Sequence, residues 1–362
     1  MCKIAIIGAS SGQLSLVNKA KEMGLTTYCF AWDKNARCKR VCDYFYPISI
    51  YDTNKIVEIC LKENINGVVS NASEETAIAS AQIAERLGLV STSASVISKI
   101  QSKRCVRILT EKTNGLSIPL IFANDLSDIK FPCIVKPIKG SAKKGVTFCS
   151  SMQEMNRAIQ YACEFNDEYI IEEYIEGEEF SVECLSFNGI HHVIQVTKKV
   201  TTGYPHFVEL EHHQPALISN VIKNKIDCVM TNVLSDIGYT YGASHIEIKI
   251  KGENIYLIEV NPRGGGDHIS DTLIHLSTNC DYIKQIILIA LGRFDPKPVK
   301  HTGCSGIIYL TSQNKKRLKL FEGPLEDWMV ERERDQEELR DSKSNYDRNG
   351  YLIYKSSKQL IL

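Results

Sequence analysis

The chain has 362 residues, of which 43% are hydrophobic and 24% are charged. These proportions are typical of a folded globular protein and exclude an intrinsically disordered chain. Basic and acidic residues balance at 43 each, which disfavours nucleic-acid binding because proteins of that class usually carry a basic excess. From the length we expect two or three domains, and from the charge no nucleic-acid partner.

Cysteine usage and hydropathy both indicate a cytoplasmic location. Thirteen cysteines are spread from Cys2 to Cys304, and no two are spaced as CxxC. Disulfide frameworks are typical of short secreted chains, so we expect reduced and mostly buried thiols. The apolar run that ends at Gly8 is too short for a signal peptide, and the run Ile286–Leu291 is too short to span a membrane. We therefore expect a cytoplasmic protein with no membrane partner.

The first 100 residues alternate between strand and helix patterns. The pattern predicts strands at Lys3–Ile7, Thr26–Ala31 and Gly67–Ser70, and helices at Gln13–Met23, Asn54–Glu63 and Glu74–Leu87. This alternation is typical of a parallel sheet, so we predict a Rossmann-like domain over residues 1–100. The turn Gly8–Gly12 stands where a phosphate could bind, but it lacks the GxGxxG spacing and a simple tight turn explains it equally well. We assign it no cofactor.

Beyond Pro132 the pattern becomes antiparallel. Before that point, one helix is predicted over Ser98–Thr113. Beyond it, Asn188-Gly189 between two apolar segments predicts a hairpin. The interleaved charges of Glu326–Arg340 favour a solvated helix face over an interaction tail. The fold class predicted is therefore α/β followed by α+β.

Two polar stretches adjoin predicted strands. Lys136 ends a strand and precedes a loop rich in glycine, serine and lysine, which predicts either a phosphate cradle or an exposed hairpin with about equal weight. The acidic stretch Glu172–Glu179 also follows a strand. Its carboxylates could accept hydrogen bonds from ribose hydroxyls, although an exposed connection between strands explains that stretch better when it is taken alone.

The segments His245–Ile250 and Ile255–Asn261 read as two alternating strands joined by a short turn. A three-residue loop, Gly252–Asn254, would set these pairs opposite each other: Lys251 and Ile255, Glu247 and Glu259, His245 and Asn261. Two carboxylates about 5 Å apart repel each other, and a divalent cation removes that repulsion. A two-residue turn is expected to shift the register and separate the glutamates, and two unrelated solvent-facing glutamates are the alternative.

Arg263 follows this hairpin and precedes three consecutive glycines, Gly264–Gly266. An arginine presents a rigid fork to a carboxylate or a phosphate. Three glycines allow a substrate to approach the backbone closely, at an entropic cost that a purely structural loop seldom requires. This combination favours a binding role for Arg263 over a structural one.

Taken together and in this order, the segments VKPIKGSAKKGV, EEYIEGEE, EIKI and EVNPR resemble the ATP-grasp superfamily. The resemblance covers nearly the whole chain. It implies a Rossmann-like pre-ATP-grasp domain at 1–100, a linker helix and mobile lid subdomain at 101–175, a catalytic subdomain at 176–300, and a C-terminal subdomain at 301–362. It also implies the cofactors ATP and Mg²⁺ or Mn²⁺, and a possible homodimer.

The resemblance assigns roles residue by residue. Lys103 and Lys136 would contact the phosphates of ATP, and the lid loop that contains Ser141 and Gly145 would close over them. The adenine would lie against Glu172, Tyr174 and Ile175, and the ribose against Glu179. The metal ligands would be Glu247, Glu259 and Asn261.

Within the superfamily, EVNPRGGGDHIS most resembles the carboxylate–amine ligases, a group that includes L-amino acid ligases. The resemblance implies an enzyme that joins a small carboxylate, such as an amino acid, to an amine through an acyl phosphate. Arg263 would hold the substrate carboxylate or the acyl phosphate, Glu209 would meet an amino group, and His212 would act as a polariser or base. A surface turn is an equally weighted interpretation of the segment around Glu209 and His212, and His268 is a weaker further candidate.

Two alternatives to a ligase remain open at this point. One is a bicarbonate-using enzyme of the same superfamily, similar to biotin carboxylase or to carboxyaminoimidazole ribonucleotide synthase. The other is a catalytically silent ATP-binding module. The presence of Glu247, Glu259, Asn261, Arg263 and the phosphate-binding lysines argues against the silent module.

Overall fold

The first unit is a parallel sheet with the strand order β3-β2-β1-β4. A computed structural model describes residues 2–119, 129–140, 143–335 and 338–360 of the chain. The elements of the first unit are β1 (Lys3–Ile7), α1 (Ser11–Glu22), β2 (Thr26–Phe30), β3 (Tyr44–Tyr46), α2 (Thr53–Glu63), β4 (Gly67–Val69) and α3 (Glu74–Leu87). Ser73 caps the start of α3 and Gly88, with a φ of 65°, ends it. The predicted Rossmann-like sheet is confirmed.

The helix predicted over Ser98–Thr113 is wrong, because the chain forms two helices there. These are α4 (Ala94–Ile100) and α5 (Lys103–Thr110). The side chain of Ser102 accepts a hydrogen bond from the Cys105 N–H at 3.3 Å and so begins a new helix. This break places Lys103 in the first turn of α5, where its N–H donates to the Ile138 carbonyl at 3.0 Å.

A small antiparallel sheet with the strand order β7-β6-β8 follows. It contains β6 (Cys133–Pro137), β7 (Thr147–Cys149) and β8 (Tyr169–Glu173), with α6 (Met152–Cys163) packed against it. Buried apolar side chains of the sheet and helix form a separate core that includes Val135, Met155 and Ala158. This unit lies within residues 101–175, where the sequence predicts a mobile lid subdomain, and that assignment stays a prediction.

A nine-stranded sheet in the order β15-β16-β14-β11-β10-β9-β12-β13-β5 forms the rest of the molecule. Its strands pair antiparallel, except that β5 runs parallel to β13. Its elements are β5 (Leu116–Ser117), β9 (Glu178–Phe187), β10 (Ile190–Thr201), β11 (Glu209–Gln214), α7 (Asn220–Ile237), β12 (Gly242–Lys251), β13 (Asn254–Asn261), α8 (Ile274–Ser277), α9 (Tyr282–Ala290), β14 (Cys304–Tyr309), β15 (Met329–Arg334) and β16 (Gly350–Ser356). The solvated helix predicted within Glu326–Arg340 is wrong, since β15 is an edge strand there.

The two faces of this sheet differ in character. Helix α7 packs on one face against Val182, Val196 and Ile246. Side chains alternate between faces along a strand, so their neighbours Glu183, Thr197 and Glu247 lie on the opposite face. That second face carries the charged groups of the site described below.

The hairpin β12–β13 pairs its glutamates as predicted, but by a different route. Its turn has two residues, since Lys251 pairs with Asn254, so the three-residue loop prediction is wrong. The register then shifts at Ile258, after which Glu247 faces Glu259 and His245 faces Asn261. A β-bulge adds one residue to one strand. This bulge therefore moves Glu259 from the face of Leu257 to the charged face.

A second bulge acts in the same way on β11. Glu211 pairs with Val200 but Glu209 pairs with Thr201, so Leu210 is the extra residue. Without it, Glu209 and His212 would point to opposite faces because they are three residues apart. With it, both lie on the charged face beside Lys199, which is paired directly with His212.

Candidate active site

A cleft lies between the small sheet and strands β9, β12 and β13, and it encloses about 1000 Å³ when the open space at its mouth is included. Eight predicted site residues line it: Lys103, Lys136, Glu172, Tyr174, Ile175, Glu179, Glu247 and Glu259. Gly145 is not among its lining residues, and a Cβ there would meet Phe165 at 2.9 Å and Pro137 at 3.1 Å, which gives this glycine a packing role. Ser141 lies outside the described residues.

Glu172 organises the basic wall of the cleft. Its Oε1 accepts from Arg107 Nε at 2.8 Å, and its Oε2 pairs with Lys136. Burial alone would raise the pKa of Glu172, but Lys136 and Arg107 lower it. Arg107 also donates to the carbonyl of the bulged residue Ile258 at 2.9 Å. Sequence reasoning missed Arg107, which lies in the helical pattern of α5 with no motif to mark it.

Lys136 is poised to bind an anion. Its side chain is only 7% exposed, and burial, together with the nearby Arg107 and Lys103, lowers its pKa to about 8 although Glu172 opposes the shift. A phosphate group placed in the cleft would favour the protonated ammonium further. The predicted contact with phosphate fits this environment.

The far end of the cleft is aromatic and is held together by Lys249. The ammonium of Lys249 donates to the Ile175 carbonyl at 3.1 Å, pairs with Glu179 at 3.3 Å, and lies 4.8 Å from the centre of the Tyr174 ring. Phe148 packs edge-on against the same ring. A flat aromatic wall at the end of a cleft is suited to a purine base. Lys249 was not predicted, since its alternation in β12 resembles that of an ordinary exposed lysine.

Glu247 and Glu259 form the acidic end of the cleft, and each is paired with a lysine. Lys199 lies 2.6 Å from Glu247, and Lys103 lies 2.9 Å from Glu259. Burial would raise the pKa of Glu247, but Lys199 and His245 hold it well below its usual range. A hard cation such as Mg²⁺ prefers one or two carboxylates with substrate phosphates, so this pair offers a set of oxygen ligands of the type that Mg²⁺ uses. Asn261, also predicted as a ligand, is buried beside this pair, opposite His245.

A buried ion pair, Glu183 and His245, lies next to Glu247 at the acidic end of the cleft. His245 Nδ1 pairs with Glu183 Oε1, and the Gly265 N–H donates to Glu183 Oε2 at 3.0 Å. Burial alone would lower the pKa of His245, but Glu183 and Glu247 raise it to about 9. His245 Nε2 faces Glu247 at 3.5 Å. The imidazolium therefore positions the predicted metal ligand.

The close approach of Gly265 to this pair leads to a testable prediction. A Cβ at Gly265 would lie 2.8 Å from both Glu183 Oε1 and His245 Nδ1. We expect Gly265→Ala to lower the free energy of unfolding by about 1–3 kcal/mol, since the buried pair cannot move away freely. Gly266→Ala is the matched control because nothing lies within 4 Å of its Cβ position. Urea unfolding of both variants measures the difference, and equal stabilities would contradict this account.

Arg263 lies against the first unit rather than free in the cleft. Its Nε and Nη2 lie 2.8 and 2.7 Å from Glu74 Oε1, at the start of α3. The neighbouring Gly264 N–H donates to Asn71 Oδ1 at 3.1 Å, and a Cβ there would meet the same oxygen at 2.8 Å. A substrate carboxylate would therefore compete with Glu74 for this guanidinium.

Glu209 and His212 lie on the charged face of β11, beyond the acidic end of the cleft. The interpretation of this segment as a surface turn is wrong, because β11 lies inside the nine-stranded sheet and His212 is fully buried. Glu209 Oε1 is 2.7 Å from Lys199, which thus joins Glu209 to Glu247. His268 is not part of this group, and its ring packs near Tyr351. Lys199 is a further residue that sequence reasoning missed.

The fold agrees with comparisons to known proteins. Residues 129–271 match the model of the family described as an ATP-grasp domain. The chain contains an ATP-grasp domain. One relative that matches well beyond this domain is a formate-dependent phosphoribosylglycinamide formyltransferase from Wolinella succinogenes. It is 23% identical over 72% of this chain and 70% of that protein. A D-alanine–D-alanine ligase from Fervidobacterium nodosum is 28% identical over 40% of this chain and 47% of its own length.

Solved structures confirm the ATP-grasp fold over the whole chain. An L-amino acid ligase from Bacillus licheniformis superposes with a TM-score of 0.81 at 19% identity, covering 99% of this chain and 94% of that one. The biotin carboxylase domain of a 2-oxoglutarate carboxylase from Hydrogenobacter thermophilus, a dimer with MgADP and bicarbonate, superposes with a TM-score of 0.76 at 18% identity over 98% and 86% of the chains. Together with the matched domain, these superpositions confirm the predicted superfamily, and the second of the two structures holds MgADP.

The structure of this ATP-grasp protein bears on two further expectations, the absence of a membrane-spanning helix and the state of the cysteines. Among the described residues, no helix combines the length and the apolar character that crossing a membrane requires. The cytoplasmic location and the homodimer stay predictions. All thirteen cysteines are free thiols, but only six of them are buried, so the prediction of mostly buried thiols holds in part; the six are Cys29, Cys38, Cys60, Cys133, Cys149 and Cys184.

Proposed function

We propose that this protein is an ATP-dependent carboxylate–amine ligase. The observation that carries the proposal is the opposed pair Glu247 and Glu259 at the end of a cleft that also presents Lys103, Lys136 and Lys199. Carboxylates for a cation and ammonium groups for phosphates are what phosphoryl transfer requires. The names of the relatives support the substrate class, since two are ligases of amino acids and one is formate-dependent.

In this proposal ATP occupies the cleft with its base against Tyr174 and Ile175 and its ribose near Glu179. Lys103, Lys136 and the lid loop around Ser141 hold the phosphates, and Glu172 keeps Lys136 in place. Glu247 and Glu259, with Asn261, would hold Mg²⁺, which would supply charge neutralisation at the phosphates. The lid loop already reaches across the site, since the Lys143 ammonium donates to the Phe207 carbonyl at 2.6 Å.

The chemistry proceeds in two balanced steps. A carboxylate oxygen of the acid attacks the γ-phosphorus of ATP, and ADP leaves, so that an acyl phosphate forms. The amine nitrogen then attacks the acyl carbon, phosphate leaves, and the amine loses a proton to give the amide. Arg263 binds the acid or its acyl phosphate once Glu74 is displaced, and Glu209 with His212 polarises the second substrate and accepts its proton. Stabilising charge on the transferred group is the main task of such a site.

The test is phosphate release from ATP in the presence of Mg²⁺, across the amino acids singly and in pairs, with formate and bicarbonate in separate wells. We expect release that requires a carboxylate together with an amine. The product should have the mass of both substrates minus one water. A matched series without amine separates acyl-phosphate formation from ligation.

Other outcomes would redirect the proposal. Release with bicarbonate alone would overturn the ligase in favour of a bicarbonate-using enzyme. ATP binding without release in any well would overturn it in favour of the ATP-binding module.

A further inference from the structure

A second set of possible ligands lies on the charged face beside the cleft, formed by Glu209, His212 and Asp267. His212 Nε2 is 3.5 Å from Glu209 Oε2 and 3.7 Å from Asp267 Oδ2. One donor atom from each residue lies within 4.8 Å of the other two. Glu209 and His212 come from β11, and Asp267 follows the three glycines. This group is separate from the pair Glu247 and Glu259, although Lys199 touches both.

The state of His212 indicates that a partner belongs in this group. The ring is fully buried, and neither of its nitrogens has a hydrogen-bond partner among the described residues. The neighbouring His213 is also buried, but its Nδ1 lies 2.7 Å from the Tyr354 hydroxyl and its Nε2 lies 2.9 Å from Glu211. Buried polar groups are normally satisfied. His213 follows that rule, and His212 is the exception that requires an explanation.

Basic side chains outside the group bind both of its carboxylates. Lys199 contacts Glu209 through Oε1, which leaves Oε2 facing the imidazole. Arg348 binds both oxygens of Asp267 at 2.9 and 3.0 Å and stacks over the Tyr309 ring. Metal-binding carboxylates are commonly oriented by such outer hydrogen bonds.

The spacing of the three donor atoms is close to the one that a metal ion requires. A circle through three points with separations of 3.5, 3.7 and at most 4.8 Å has a radius of at most about 2.4 Å. Zinc binds nitrogen and oxygen ligands at about 2.0–2.2 Å, which a small contraction of the group reaches.

We propose that Glu209, His212 and Asp267 bind a divalent cation of the zinc and manganese type. An imidazole nitrogen favours these ions over Mg²⁺ and Ca²⁺, which prefer oxygen alone. The two sites thus differ in their chemistry, with the all-carboxylate pair suited to Mg²⁺. The inference rests on the proposed function only for its consequence, which is that Glu209 and His212 act on the second substrate through the bound ion.

The experiment measures Mn²⁺ binding without ATP or substrates. Mn²⁺ suits carboxylate and imidazole but binds thiols poorly, so the thirteen cysteines do not interfere. The measurement uses the full chain carrying Glu259→Gln in excess Mg²⁺, which suppresses binding at the first pair. Electron paramagnetic resonance counts the Mn²⁺ that remains free. We expect one ion bound per chain.

Matched variants locate the ion. Adding His212→Gln or Asp267→Asn should weaken Mn²⁺ binding at least tenfold, whereas His213→Gln should leave it unchanged. Asp267→Asn, at a partly exposed position, provides a second reading if the buried variant does not fold. Absence of binding in the Glu259→Gln protein, or equal binding with and without His212, would overturn the proposal. Since no ATP is present, failure of the ligase proposal would not alter this readout.

Discussion

Replacing Glu259 by glutamine is expected to lower ATP turnover by at least about a hundredfold, because groups that only support metal ligands already cost 10- to 100-fold when lost. The amide keeps the size of the side chain but removes the charge that faces Glu247 across β12 and β13. Its side chain is 28% exposed toward the cleft, so the core is not disturbed. Phosphate release measures turnover, and thermal unfolding checks the fold.

The matched control is Glu253→Gln, at an exposed glutamate in the turn of the same hairpin. It carries the same chemical change at a position outside the cleft and should retain full turnover. Near-normal turnover in Glu259→Gln would sink the assignment of the metal ligands. Loss of turnover in both variants would instead indicate that either substitution disrupts the structure of the β12–β13 hairpin.

Replacing Lys199 by methionine is expected to lower the free energy of unfolding by about 3–5 kcal/mol, the usual cost of leaving buried carboxylates without their partner. The Lys199 ammonium is 4% exposed and lies 2.7 Å from Glu209 and 2.6 Å from Glu247. A cation bound between carboxylates can replace part of this charge. We therefore expect added Mg²⁺ to stabilise the Lys199→Met protein more than it stabilises the unaltered one, as measured by urea unfolding.

The neighbouring lysine provides the control for this prediction. Lys198 points to the other face of the sheet, and its partner Glu178 is exposed, so Lys198→Met should change the stability by only about 0–1 kcal/mol. Similar losses for the two variants would contradict the special position of Lys199. A large loss of unfolding free energy in Lys199→Met that added Mg²⁺ does not reduce would show that Lys199 stabilises the fold independently of any metal bound near Glu247.

The bounds of elements that depend on short-range sequence patterns could be predicted from the sequence. Strand β1 and helix α3 have the predicted bounds, because apolar periodicity and capping by residues such as Ser73 act over a few neighbouring positions. The helix after α3 was misjudged because its apolar pattern continues through Ser102, whose cap interrupts the backbone hydrogen bonds.

The pairing of Glu247 with Glu259 shows where local reasoning reaches its limit. The prediction of the pair was correct, yet the turn on which it was based was wrong, and the bulge at Ile258 compensates for the difference. A bulge leaves no reliable mark in a pattern of alternating residues, since it depends on what the extra residue contacts. Here the freed carbonyl of Ile258 accepts a hydrogen bond from Arg107, which is 151 positions away in the chain.

The sequence by itself determined most of the elements, the superfamily and most of the predicted residues that line the cleft, because those depend on short-range periodicity and on side-chain chemistry at fixed spacings. Only the tertiary structure decided which charges meet. Arg107, Lys199 and Lys249 became site residues through contacts with distant carboxylates or carbonyls, and the bulge at Leu210 brought Glu209 and His212 to one face. Such contacts depend on the register between strands and on burial, and neither is encoded by any single segment of the chain.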